Sequence, residues 1–76
     1  MDKDPELDRL QADYKAAVEA WIVAIRAEEA LASVDHSVVK LDKWEHAHFA
    51  AEDERAKADA AKAAYEDALR ARLFGI

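Results

Sequence analysis

The sequence predicts an all-α protein: a two-helix antiparallel hairpin, with helix 1 over about residues 5–33 and helix 2 over about residues 37–74. Three observations predict it. Ala, Leu, Glu, Lys and Arg dominate, no proline or glycine occurs between Pro5 and Gly75, and residues with weak helix propensity cluster once, near the middle. The 76 residues are enough for one domain with a small core, which proteins of this size often supplement by disulfides, metals or oligomerisation.

Helix 1 has a clear start signal. Asp4 is placed to be the N-cap and Pro5 the first helical residue, because a carboxylate can accept a free backbone N–H there and proline lacks a donor that the first turn does not need. Glu6 and Asp8 follow in the first turn, where the helix dipole favours negative charge. These signals predict that helix 1 begins at residue 5.

The turn is predicted within SVDHSVV, residues 33–39, which contains two serines, an aspartate, a histidine and three valines. Ser and Asp side chains compete with helical hydrogen bonds, and β-branched side chains lose rotamer freedom in a helix. Asp35 or Ser37 would then cap helix 2. One uninterrupted helix is the alternative, because this turn contains neither glycine nor proline. At the far end, Arg70 and Arg72 suit the negative end of the dipole, and Gly75 can terminate the helix.

The apolar residues of helix 1 are spaced alternately three and four apart, which is typical of a helix that packs against another helix. We name this series the helix 1 seam: Leu7, Leu10, Tyr14, Ala17, Trp21, Ala24, Glu28 and Leu31. Val18, Ile22 and Ile25 lie beside it and widen the apolar surface to roughly half of the circumference, at about 100° per residue. One neighbouring helix cannot cover so wide a surface.

Helix 2 has a seam of mostly small residues, which permit close approach of two helices but bury little area each. The helix 2 seam consists of Ala47, Ala51, Ala58, Ala61 and Ala68, with Trp44, Tyr65, Leu69 and Leu73 as its large members. A hairpin alone would thus leave an apolar patch exposed, and such patches usually mark an association surface. We therefore predict a homodimeric four-helix bundle, with an interface formed by Val18, Trp21, Ile22, Ile25 and Trp44.

In length and helical pattern the chain is similar to the Rop-like helical hairpins, which dimerise into four-helix bundles. The resemblance covers the whole chain, rests on no sequence motif, and therefore implies architecture alone. Rop binds RNA, but the net charge of −6 here argues against nucleic acid as a partner, because affinity for phosphates comes largely from Lys and Arg. We expect no RNA binding from this chain.

A metal site is the second functional hypothesis. Glu45 and His48 have the Glu-x-x-His spacing of ferritin-like bundles, Glu52 extends the same helix face, and Glu28 interrupts the helix 1 seam. Glu28, Glu45 and His48 would form half of a di-metal site, with Glu52 as a further candidate ligand. A single divalent transition metal such as Zn²⁺ or Ni²⁺, bound through His46 or His48, is the other form of this hypothesis. The alternatives are a solvated face, and a Glu28 that pairs with Lys43 or Arg26 or sets the register of the seam.

Other functions are less compatible with the sequence. The only Ser, Thr or Cys residues are Ser33 and Ser37 in the turn, so we expect no catalytic nucleophile, no enzyme activity and no disulfide. His36 is expected to be a solvated turn residue. The longest apolar run, Ala20–Ile25, is far below the ~18 residues that span a bilayer, so we expect a cytoplasmic protein without cofactor or membrane contact.

The functional prediction is a small adaptor, regulator or structural subunit that acts through homodimerisation and protein contacts. A heteromeric or filament-forming subunit is the alternative within the same class, because secretion needle proteins are hairpins of similar length. No motif in the chain supports that alternative.

Overall fold

A computed structural model describes residues 4–32 and 38–75. It contains two helices, α1 over Pro5–Ala32 and α2 over Val38–Phe74. Contacts of Asp4 with Arg72 and of Glu28 with His48 join the start of α1 to the end of α2 and the end of α1 to the first third of α2. The helices are therefore antiparallel, and the predicted all-α hairpin is confirmed. The expected caps Asp35 and Ser37, and His36, lie outside the described residues.

Both predicted helix ends are confirmed in detail. The Leu7 backbone N–H donates to Oδ1 of Asp4 over 3.2 Å, which is the N-cap bond. At the other end, Gly75 has a φ of 68°, and its N–H donates to the carbonyl of Ala71 over 2.9 Å. A residue in the left-handed conformation with this bond ends a helix while satisfying one of its last carbonyls.

An ion pair closes the open end of the hairpin. The Arg72 Nη2 atom lies 2.7 Å from Oδ2 of Asp4. This oxygen accepts no hydrogen bond, so its contact with Arg72 is an ion pair. Asp4 thus uses one oxygen to cap α1 and the other to meet a cation in the last turn of α2. The contact joins the positive end of one helix dipole to the negative end of the other.

The predicted seams form the contact between the helices. All eight residues of the helix 1 seam are partly buried, and Ala51 and Ala58 are the buried residues among those described. Leu73 was predicted to pack in the helix 2 seam, and that prediction is wrong, because its side chain is 65% exposed. The reason is length: Arg72 already lies beside Asp4, so α1 has begun too late to cover the following residue.

The hairpin is a single layer of helices. It extends 57 × 21 × 12 Å along its principal axes, and the smallest value is about the diameter of one helix with side chains. No large side chain within the described segments is fully buried. Neither described helix is long and apolar enough to span a membrane.

Candidate functional site: a polar pair and an uncovered face

The seam glutamate makes a direct contact with α2. Nδ1 of His48 lies 2.6 Å from Oε1 of Glu28, which is within the range of a charge-assisted hydrogen bond. The Glu28 side chain is 20% exposed and the His48 side chain 42%. Of the partners considered for Glu28, the structure thus selects His48 rather than Lys43 or Arg26.

Aromatic rings hold the imidazole of His48 in place. The Trp44 indole stacks on it with ring centroids 5.6 Å apart and planes at 12°. Phe49 contacts it in a tilted arrangement, with centroids 5.8 Å apart. Trp44 and His48 are four residues apart, so they lie on the same face of α2. That face supplies both the stacked indole and the imidazole nitrogen that contacts Glu28. The pair is therefore a fixed polar contact within an otherwise apolar seam.

The structure brings together two of the four predicted metal ligands. Glu28 and His48 are in contact, whereas Glu45 and Glu52 are exposed on α2. Within residues 4–32 and 38–75, no three His or acidic side chains are grouped closely enough to hold a metal ion. His46 also stays apart, because its Nδ1 lies 2.9 Å from the carbonyl oxygen of Asp42 in its own helix. One hairpin therefore brings together two of the candidate metal ligands, Glu28 and His48.

Of the predicted interface residues, Val18, Ile22 and Ile25 lie beside the contact between the helices, whereas Trp21 and Trp44 belong to the seams that form it. Ile22 and Ile25 are 41% and 40% exposed, and Val18, Trp21 and Trp44 are partly buried. Val18, Ile22 and Ile25 each follow a residue of the helix 1 seam by one position, so they lie about 100° round the helix from it. They form a continuous apolar strip along one side of the hairpin.

An open groove of about 480 Å³ continues this strip toward the open end of the hairpin. It is lined by Gln11, Tyr14, Lys15, Val18, Glu19 and Tyr65. The sequence analysis did not identify this groove, because a groove depends on how far apart two helices hold their side chains. On α1 the groove lies along a series of residues beside the helix 1 seam, in which Gln11, Lys15 and Val18 repeat at spacings of four and three. That spacing is the signal in the sequence.

Comparison with protein-family models, curated proteins and solved structures gives no match to this chain. The functional argument therefore depends on the geometry of the hairpin alone.

Proposed function

We propose that this chain forms a homodimeric four-helix bundle and acts through protein contacts, as a small non-enzymatic adaptor, regulator or structural subunit. The observation that supports this proposal is the apolar strip of Val18, Ile22 and Ile25, in which both isoleucines are exposed. The contact beside it has Ala51 and Ala58 as its buried residues among those described. Burial of apolar surface is the main driving force for association. A second hairpin placed on this strip would give α1 the second helical neighbour that its sequence pattern requires.

The exposed area is consistent with a missing partner. A compact folded monomer of 8.5 kDa would expose about 4,700 Å², whereas the hairpin exposes 5950 Å². The difference, about 1,300 Å², exceeds the ~800 Å² that each partner contributes to an interface of standard size. A dimer can therefore bury a full interface and still expose the surface typical of a folded protein.

Sedimentation equilibrium over a dilution series tests this function. The expected result is twice the 8.5 kDa chain mass at micromolar concentration, with dissociation and loss of helix content on dilution, because a single hairpin buries little apolar surface. A mass of 8.5 kDa at every concentration, with full helix content, would contradict the proposal.

Metal binding is the second candidate, and one observation favours it: the 2.6 Å contact places a carboxylate and an imidazole in one site. Glu45, Glu52 or a second copy would supply the remaining ligands of a Zn²⁺ or Ni²⁺ ion. Metal analysis of protein purified without an affinity tag tests it. If metal content and thermal stability are the same for the parent chain, Glu45→Ala and His48→Ala, the candidate is excluded.

A further inference from the structure

We infer that the second copy packs with its turn at the opposite end of the bundle, so that α1 lies antiparallel along the second copy's α1 and α2 along its α2. This inference rests on the proposed homodimer, and it adds the orientation of the two chains and the neighbour of each helix. It follows from the chemistry along one side of the hairpin.

That side, which we call the shared side, consists on α1 of the residues that follow a seam residue by one position, and on α2 of two series that repeat every seven residues: Glu45, Glu52, Asp59 and Glu66, and His48, Arg55 and Lys62. Both helices are right-handed and run in opposite directions, so these residues lie on the same side of the hairpin in α1 and in α2. On α1 the groove opens on this side, since Lys15 and Val18 line it together with the seam residues Tyr14 and Tyr65. A second hairpin that covers the strip must cover the shared side of both helices.

The two helices differ in chemistry on the shared side. On α1 its centre is apolar, with Val18, Ile22 and Ile25. On α2 it is charged, and the charges form two series that repeat every seven residues. Three bases lie next to the helix 2 seam, and four acids lie farther from it. The bases are His48, Arg55 and Lys62, and the acids are Glu45, Glu52, Asp59 and Glu66.

A dimer with both turns at the same end would place α1 beside the second copy's α2. In the register of the hairpin itself, both cross-helix pairs have residue numbers adding to 76. Ile25 would then lie within one residue of the level of Glu52, and Val18 within one residue of the level of Asp59. Lys15 would lie within one residue of the level of Lys62. Burial of isoleucine and valine against carboxylates, and of lysine against lysine, opposes association.

A dimer with turns at opposite ends places each helix beside its own copy, antiparallel. In an antiparallel pair, residues close to the seam face residues farther from it. The bases of α2 then face its acids, for example Arg55 with Glu52 of the second copy, and Val18 of α1 faces Ile22 of the second copy. With turns at opposite ends, therefore, Val18 and Ile22 of the two α1 helices pack together, and opposite charges of the two α2 helices face each other.

A single two-fold axis produces both sets of contacts. It crosses α1 near residue 20 and α2 near residue 54, and these two levels lie within about one turn of each other in the hairpin. With the axis there, Ile25 of the second copy reaches the level of Lys15 and enters the groove between Tyr14 and Tyr65. The exposed isoleucine and the groove thus complement each other across the axis.

This orientation also separates the polar pairs. Glu28 lies eight positions from the level of the axis, so the two Glu28–His48 pairs of the dimer would be roughly 25 Å apart at 1.5 Å per residue. They could not share a metal. Any metal bound to this dimer would be bound separately by each half.

Mixing two charge-reversed chains tests the contact between Arg55 and Glu52. In the Arg55→Glu homodimer, an acid would face an acid at each of the two contacts. In the Glu52→Arg homodimer, a base would face a base. In the mixed dimer, an acid would face a base at both contacts. Native mass spectrometry of an equimolar mixture should show a heterodimer that exceeds both homodimers combined by about five-fold or more, because like charges in contact disfavour the homodimers.

Asp53 and Lys57 provide the control. They carry the same two charges, are both exposed, and lie about 100–160° round α2 from Glu52 and Arg55, away from the shared side. Lys57→Glu mixed with Asp53→Arg should give heterodimer equal to the homodimers combined. Equal preference in the two mixtures would overturn the inference.

A distance between the two copies tests the orientation independently of any charge reversal. The chain has no cysteine, so Arg70→Cys carries a single nitroxide label per copy. Turns at opposite ends predict roughly 50 Å between the labels, and turns at the same end roughly 20 Å. A 20 Å distance in a protein of dimer mass would overturn the inference and leave the proposed dimer intact, whereas a monomeric mass would overturn both.

Discussion

The two helices of the hairpin differ in what they contribute to stability. The helix 1 seam carries large residues, and a second apolar strip, including Ile22 and Ile25, lies exposed beside it. The helix 2 seam carries small residues, of which Ala51 and Ala58 are buried, and charges lie beside it. Close approach therefore depends on α2, whereas the apolar strip beside the contact of the helices belongs to α1.

This difference teaches how a short chain can separate folding from association. A seam of alanines lets two helices approach closely but removes little area from water, so the hairpin alone is a marginal fold. In the proposed dimer, Ile22 and Ile25 of α1 would gain from the second copy the burial that their own hairpin does not give them. Substitutions on α1 should change the mass of the particle, and substitutions in the helix 2 seam should change the stability of the hairpin.

The largest expected effect is on α1. Ile22→Asp places a charge in the proposed interface twice per dimer, once from each copy, and we expect the dimer Kd to rise at least about 100-fold. Val23→Asp is the matched control, because Val23 neighbours Ile22 but is 68% exposed and points away from the strip. Sedimentation equilibrium measures both. A similar Kd for the two variants would remove the assigned role of the strip.

The next effect is on α2. Ala58→Leu introduces a large side chain at a buried position of the contact between the helices, and overpacking of this kind costs about 1–3 kcal/mol. Ala63→Leu, at an exposed position of the same helix, should change stability by less than about 0.5 kcal/mol. Denaturant unfolding of both variants checks this. If Ala58→Leu were as stable as Ala63→Leu, the close approach of the helices would be wrong.

The open end of the hairpin should respond less. Asp4→Ala removes the N-cap bond to Leu7, which is typically worth about 1 kcal/mol, and leaves Arg72 without its partner. Asp13→Ala, an exposed acid in the middle of α1, is the control and should be nearly neutral. A thermal melt that places Asp4→Ala level with this control would show that the cap does not contribute.

The smallest expected effect is at the polar pair. Glu28→Gln keeps a hydrogen-bonding group opposite His48 but removes the negative charge, and the imidazole is 42% exposed, so solvent screens the charge term. We expect a loss below about 1 kcal/mol in denaturant unfolding. A loss several times larger would show that solvent does not screen the charge of Glu28.

Local features of the fold could be predicted from the sequence. The cap at Asp4 and the terminator at Gly75 follow from single-residue conformational preferences, and both are confirmed. The helix 1 seam follows from its spacing of three and four, and each of its members is partly buried. These predictions hold because they depend on the chain within one or two turns.

Features that depend on distance between the helices could not be predicted as well. The sequence suggested Lys43 or Arg26 as partners of Glu28, but the contact is with His48. Each side chain tilts toward the start of its own helix, so in an antiparallel pair long side chains meet partners offset along the axis. Leu73 is uncovered because α1 begins opposite Arg72, and the groove beside Tyr65 depends on the spacing of the two helices, which residue periodicity does not determine.

The most direct measurement is an isotope-filtered NOE experiment on a mixture of labelled and unlabelled chains, which detects only contacts between copies. The account predicts that the Ile22 and Ile25 methyl groups of the labelled chain show contacts to the unlabelled one, including its Tyr14 ring. Val23, on the opposite side of α1, should show none. Isoleucine methyl groups without contacts between copies, in a sample of dimer mass, would contradict the account.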